Sequence, residues 1–377
     1  MVASLPGVTL RTVTADRLER ARAAAAAAGI DVVLVTPGPD LRYLTGYGAM
    51  PLERLTCLVL PADGDPVLVV PALERPAAQA SPAGSLGVEI VDWQETEDPI
   101  ALVARRTQRA RRVGLDDHMW AEKVLRFRAA MPDASQVLAG RVLHGLRLRK
   151  SADEVDALRE AAAAIDRVHA RTGEWLRAGR TEREVGRDIA EAIVVEGHVR
   201  ADFVIVASGP NGASPHHETG ERVIGAGDPV VVDIGGTTQA GYRSDETRTY
   251  AVGAADDDFV AAYEALQRAQ AAAVDTVRPG VTAEAVDAAA RDVLDRAGLG
   301  EHFVHRTGHG IGLETHEEPY IVAGNTMPLE AGMTFSIEPG FYLPGRFGAR
   351  IEDIVATTDD GVERLNLRPR DLVILDT

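Results

Sequence analysis

Two aspartates, Asp233 and Asp245, lie twelve residues apart in the segment VVVDIGGTTQAGYRSDETRTY (230–250). The first closes an apolar run that reads as a buried strand, and the second follows a loop rich in Gly and Thr. If 229–237 and 241–250 pair as antiparallel strands around a loop centred on Gln239, the two carboxylates face each other directly. Opposed residues have β-carbons about 4.5–5.5 Å apart, and like charges there destabilise the sheet. Two readings follow. The pair is either two solvated strand-end carboxylates or a site for a divalent cation, whose charge attracts hard oxygen ligands and reverses the repulsion.

Three further segments bear on that choice. HRTGHGIGLETHEEPY (305–320) surrounds His309 with Gly308, Gly310 and Gly312, a backbone that can approach another group closely. MTFSIEPGFY (333–342) ends an apolar run on Glu338, and GARIEDIVATT (348–358) sets Glu352 between Ile351 and Asp353 in another apolar strand. Singly, each has an ordinary reading: a hydrogen-bonded core histidine, a strand-end acid at a turn, an edge-strand carboxylate. Together they supply four carboxylates and one imidazole, all where apolar strands give way to turns. Four buried carboxylates are prohibitive without compensation, and two divalent cations would balance them. Carboxylate-dominated ligation with one histidine favours Mn, although Co, Fe or Zn can also bind such a set. Two ions about 3.5–4 Å apart can share a hydroxide and polarise a carbonyl, which is hydrolytic chemistry.

The elements that must position these residues fall into two blocks. Up to about residue 147 helical and strand patterns alternate: an Ala-rich helix stops at Gly29, and DVVLVT, CLVLP and PVLVVP are short β-branched runs closed by Pro or Gly. Helical patterns at 99–112 and 118–131 complete an α/β domain, 1–147. In the second domain, 148–377, Ser151 and Glu154 have the form of a capping box. Helices over 152–177 and 181–197 precede a strand at 203–207, the aspartate hairpin, helices over 256–276 and 281–297, and a final series of short strands. Blocks of helices and strands indicate α+β with a largely antiparallel sheet.

Composition narrows the function. The 377 residues carry a net charge of −17, which repels phosphate backbones and anionic lipid, so neither nucleic acid nor a membrane surface is an expected partner. Cys57 is the single cysteine, so no intramolecular disulfide exists. No basic leader followed by an apolar stretch opens the chain, and no run of 18 apolar residues occurs. A cytoplasmic location is expected. Glycine-rich phosphate loops, GxSxG and HExxH are absent, and GHGIG lacks the strand and helix context of a dinucleotide site.

Taken with LRYLTGY (41–47) and LRLRKSADEVDALREAA (146–162), these segments resemble the pita-bread metallopeptidases, the family of methionine aminopeptidase, aminopeptidase P and Xaa-Pro dipeptidase (prolidase). The resemblance covers nearly the whole chain. It implies a creatinase-like α/β domain followed by a pita-bread catalytic domain with a curved, largely antiparallel sheet, and it implies two divalent ions per subunit. In it Asp245 and Glu352 bridge the metals, Asp233 chelates one, and His309 and Glu338 ligate the other. Thr247 and Arg350 orient the bridging carboxylates. In SGPNGASPHHETG (208–220) His216 matches the histidine that meets the substrate or tetrahedral intermediate, with His217 as the fallback, although adjacent histidines in a polar loop otherwise read as solvent-exposed. His316, in THEEP, matches the histidine that hydrogen-bonds the scissile peptide. Glu338 is the implied proton shuttle, serving as acid and base.

Many members separate the hairpin aspartates by eleven residues, and here GGTTQAG holds one more. A creatinase-like domain is absent from methionine aminopeptidases, so the resemblance implies Xaa-Pro hydrolysis of short peptides by a homodimer, as a dipeptidase first and as an aminopeptidase P second. Three competitors are a related hydrolase of another amide, a metal-free creatinase-type enzyme and a peptide-binding scaffold. The last two would be expected to lack ligands that this chain retains.

Overall fold

The computed structural model describes residues 15–377; the opening stretch read for a leader, residues 1–14, lies outside the described residues. Two compact units emerge, the first ending at Arg147 and the second running Leu148–Thr377.

In the first unit, strands β1 (Val32–Val35), β2 (Cys57–Pro61), β3 (Val67–Pro71), β4 (Glu89–Trp93), β5 (Arg112–Leu115) and β6 (Ser135–Leu138) form one sheet in the order β4-β3-β2-β1-β5-β6. Continuous Val and Leu runs make β1 to β3 almost wholly buried, as strands covered on both faces must be. Helices α1 (Ala15–Ala27), α2 (Pro39–Thr45), α3 (Arg75–Ala80), α4 (Pro99–Arg106), α5 (Ala121–Ala130) and α6 (Gly140–Leu148) intervene. The helix read over 99–112 is shorter than expected: α4 stops at Arg106, and Arg112 already belongs to β5. Hydrophobic periodicity does not separate a helix end from a buried strand that follows at once.

The second unit opens with α7 (Ala152–Ala170) and α8 (Glu182–Val195). Both have complete capping boxes, Ser151 with Glu154 and Thr181 with Glu184. The helix read over 152–177 ends early, at Ala170, and a short 3-10 turn follows at Thr172–Glu174. Strands β7 (His198–Ser208), β8 (Pro229–Thr238) and β9 (Arg243–Val252) come next, then α9 (Asp257–Thr276) and α10 (Ala283–Arg296). After β10 (Gly308–Gly310), β11 (Glu317–Ile321) and β12 (Thr334–Ile337) come the hairpin β13 (Gly340–Leu343) and β14 (Phe347–Arg350), then β15 (Asp353–Thr357), β16 (Val362–Arg364) and β17 (Val373–Leu375). One sheet runs β17-β9-β8-β7 and another β11-β10-β12-β15-β16. Except for the parallel pair β17 and β9, all pairings in this unit are antiparallel.

Each pair of helices buries its apolar stripe against its own strands. Ile165 and Val168 of α7 and Ile189 of α8 pack on Val232 and Ile234 of β8, while Phe259 and Leu266 of α9 pack with Phe335, Ile337 and Phe341. Truncating one such phenylalanine to alanine costs about 3–5 kcal/mol.

The aspartate hairpin differs from the sequence reading. Asp233 faces Thr247, and Asp245 faces Gly235, so the two aspartates are diagonal neighbours and not direct partners. The loop centres on Ala240. Gly241 N–H bonds Thr238 O at 2.9 Å with Gly241 at φ 93°, and Thr238 N–H bonds Tyr242 O at 3.0 Å. A three-residue loop that needs a left-handed residue in third place puts glycine there and so moves the centre. The register moves by two residues, an even number, so both aspartates stay on one face.

Candidate active site

Five residues converge in the second unit. Asp233 comes from β8 and Asp245 from β9; His309 sits in β10, Glu338 follows β12, and Glu352 lies between β14 and β15. Backbone pairing draws the two sheets together here: Thr247 bridges to Glu352, whose N–H donates to Thr247 O at 3.1 Å. The glycines around His309 permit its close approach, because a β-carbon at Gly308 or Gly310 would collide with backbone oxygens of Ser336 or Glu318.

Asp233, Asp245, His309 and Glu352 are all buried, and the Glu338 side chain is 15% exposed. His309 Nε2 lies 3.2 Å from Glu338 Oε1 and 3.6 Å from Asp245 Oδ2. Asp245, His309 and Glu352 each offer one ligand atom within 4.8 Å of the others. All five line a cavity of about 490 Å³.

Electrostatics show what this cluster is missing. Burial, reinforced by Asp233 and Glu338, holds the Asp245 carboxyl well above the usual range; burial and then Asp245 do the same to Glu352. Burial pushes Glu338 up to about 7 against the pull of Arg350. The only guanidinium bonded to the four carboxylates, among the described residues, is that of Arg350, which pairs with Asp233 Oδ2. Asp233 Oδ1 is buried with no hydrogen-bond partner among the described residues. His309 Nδ1 lies 3.1 Å from Gly310 O and so carries the proton, which leaves Nε2 to present a lone pair toward carboxylate oxygens. Burial, with His316 next, keeps that imidazole well below its usual pKa. An orphaned oxygen, raised carboxyls and a lone pair aimed at acceptors all fit a site that takes up cations.

The supporting residues are placed as follows. Thr247 Oγ1 donates to Glu352 Oε2 at 2.7 Å and accepts from Arg350 Nε at 3.1 Å. Arg350 therefore bonds Asp233 and Thr247, and donates also to Tyr342 Oη at 2.7 Å and Pro215 O at 3.3 Å. His216 is exposed at the cavity, whereas His217 bonds Glu182 at 2.8 Å and is not part of the lining. His316 is exposed in the same cavity, its ring centroid 3.9 Å from that of His309.

Among the lining residues not singled out from the sequence is Arg306. Arg306 stacks over the Tyr320 ring at 4.4 Å and reaches His316 Nδ1 at 3.5 Å, with no carboxylate partner among the described residues. In the sequence it looks like any loop arginine, and only the folded cavity distinguishes it.

The chain is similar to known proteins over nearly its whole length. The model of metallopeptidase family M24 matches residues 156–359, and that of the Creatinase/Prolidase N-terminal domain matches 17–149. "Probable dipeptidase PepE" of Mycobacterium tuberculosis is 55% identical over 364 residues, covering 96% of this chain and 97% of its own. The Xaa-Pro dipeptidase of Lactobacillus helveticus is 36% identical, covering 92% and 95%. The crystal structure of dipeptidase PepE from Mycobacterium ulcerans superposes with a TM-score of 0.91 at 56% identity, over 96% of this chain and 98% of that one.

Proposed function

The chain belongs to metallopeptidase family M24, and on that premise we propose that it is a metal-dependent Xaa-Pro dipeptidase, hydrolysing the bond before proline in short peptides. The observation that carries this reading is the concentration of buried, uncompensated carboxylates around His309 at the wall of a substrate-sized cavity. Asp233, Asp245, His309, Glu338 and Glu352 would hold two divalent ions, with Mn the first choice and Co, Fe or Zn the others. Such ions polarise a carbonyl oxygen and make water acidic enough to attack it.

The chain's own groups do the rest. Glu338 takes the proton of the attacking water and passes it to the proline nitrogen as that bond breaks. His216 and His316, both at the cavity, donate to the oxygen on which negative charge develops. Thr247 keeps Glu352 in place, and Arg350 does the same for Asp233. Arg306 offers a guanidinium with no hydrogen-bonded carboxylate partner among the described residues, suited to the free carboxylate of a dipeptide, which lies next to the scissile bond. That observation favours a dipeptidase over removal of an N-terminal residue from longer chains.

Residues 1–147 and 148–377 are the two domains in this reading, and the active form is a cytoplasmic homodimer. Among the described residues, no helix is long and apolar enough to cross a membrane. The test is proline release from Xaa-Pro dipeptides and Xaa-Pro-Yaa tripeptides, with chelator-stripped enzyme before and after manganese is restored. Metal-dependent cleavage confined to dipeptides is expected. Cleavage of tripeptides at the same bond makes it an aminopeptidase P, and inactivity with metal bound points to another amide.

A further inference from the structure

The segment 209–220 between β7 and β8 carries His216 to the cavity, yet several of its hydrogen bonds converge away from the cavity on one carboxylate. Glu182, the first residue of α8, is fully buried. Its Oε1 accepts from Ser208 N at 2.8 Å, Ser208 Oγ at 2.7 Å and Asn211 Nδ2 at 3.0 Å. Its Oε2 accepts from Gly220 N at 3.4 Å and meets His217 Nε2 at 2.8 Å. The donors therefore come from both ends of the loop and from the residue beside His216.

A carboxylate at a helix start ordinarily serves that helix's own amides. Here it does not. Thr181 Oγ1 caps Glu184 N–H, while the N–H groups of Glu182 and Arg183 donate to Arg222 O and Gly220 O. Among the described residues, every donor to the Glu182 carboxylate belongs to 208–220. Burial alone would raise its pKa, but the donors of Ser208, His217 and Asn211 prevail and hold it below the usual range, ionised at neutral pH. On the cavity side the loop has one more tie, from Arg350 Nη1 to Pro215 O, immediately before His216.

We propose that Glu182 is a positioning residue for the hydrolysis: it holds the 208–220 loop so that His216 meets the substrate, and it acts on the reaction only through that histidine. The inference rests on the reading of His216 as a substrate-facing group. Glu182 is absent from the cavity lining, so it has no route to the reacting atoms of its own.

The experiment is a double-mutant cycle on the metal-loaded, full-length enzyme, with Glu182→Gln, His216→Ala and the pair assayed on an Xaa-Pro dipeptide. A misplacement of about 1 Å costs roughly 100-fold in rate, so Glu182→Gln should lower kcat by that order while bound metal stays at the wild-type level. In the His216→Ala background it should cost nothing more. Glu182→Asp, which retains the charge, should recover part of the loss. Equal losses in both backgrounds, or loss of metal with Glu182→Gln, overturn the proposal. Asn211→Ala removes one donor only and serves if Glu182→Gln does not fold; a several-fold loss that vanishes without His216 is expected, and persistence of that loss overturns the idea. Hydrogen exchange at the Ser208 and Gly220 amides reads the anchor without turnover. Faster exchange in Glu182→Gln supports the proposal and unchanged exchange overturns it, even if the wild-type enzyme cleaves no proline dipeptide and the substrate reading itself fails.

Discussion

Strand β9 has two faces, and both carry buried charge, but the charge is handled in opposite ways. On the cavity side Asp245 and Thr247 meet Asp233, Glu338 and Glu352, and Arg350 is the guanidinium that reaches them. On the reverse side Glu246 and Arg248 meet Asp353 and Arg370. Arg248 Nη2 lies 2.6 Å from Asp353 Oδ1 and 3.1 Å from Glu246 Oε1, and Arg370 Nη1 lies 3.0 Å from Asp353 Oδ2. Gln270 and Asn366 add donors to the same two acids. Arg248 Nη1 also bonds the backbone oxygens of Thr247 and Glu352 at 2.9 and 2.7 Å, so the reverse face clamps the two strand segments that present ligands. On the reverse face two guanidiniums of the chain itself compensate the acids, although burial still holds the Glu246 carboxyl well above the usual range despite Arg248. Four acids with one guanidinium form a face that needs positive charge from outside.

The sharpest way to break this contrast is Glu352→Ala. It should abolish proline release and reduce bound metal together, by turnover and metal analysis; a variant that is active and fully metallated would refute the assignment. On the reverse face, Arg248→Met leaves Glu246 and Asp353 buried without their shared cation. A loss of about 3–5 kcal/mol in stability is expected from denaturant unfolding. A loss below about 1 kcal/mol would mean that the two faces do not differ.

Titration gives a separate test of the cavity face. In chelator-stripped protein the raised pKa of Glu338 means that its folded form keeps a proton which the unfolded chain releases above 4.5. Its contribution to stability is therefore fully present below pH 4.5 and is lost as pH rises to about 7, at up to about 1.4 kcal/mol per pH unit. Glu338→Gln should remove that slope, and bound metal should abolish it by holding the carboxylate ionised. Thermal melts from pH 4.5 to 7.5, compared between the two stripped proteins, measure the difference. The smallest effect is expected for Thr247→Val, which deletes the bond to Glu352 Oε2 and should weaken metal affinity about 10–100-fold in a chelator competition.

Much of this was legible in the chain itself. Ser151 with Glu154 announced a helix start, and the apolar runs ending on Asp233 and Glu338 marked strands delivering acids to one place, whereas Glu352, expected inside a strand, lies between β14 and β15. Other features were not legible, for physical reasons. The hairpin register depended on which residue takes positive φ, and Gly241 was one of several glycines in reach. Arg306, Glu182 and Arg248 gain significance only from neighbours distant in sequence: Tyr320 and His316 in one case, Ser208 to Gly220 in the second, Asp353 in the third. The Thr181 capping box is equally visible in the chain as T-x-x-E.

The three-residue turn at 239–241 has a consequence for how such enzymes can diverge. The turn lies beyond an unbroken ladder that pairs Pro229 through Thr237 with Arg243 through Ala251. Lengthening the turn therefore does not propagate into the ladder, and the spacing of the two aspartates in sequence is decoupled from their spacing in space. A residue added or removed at this tip would leave the paired positions that carry the two aspartates unchanged. Aligning homologues by the count of residues between the aspartates would then misplace one strand, whereas aligning them by the ladder would not.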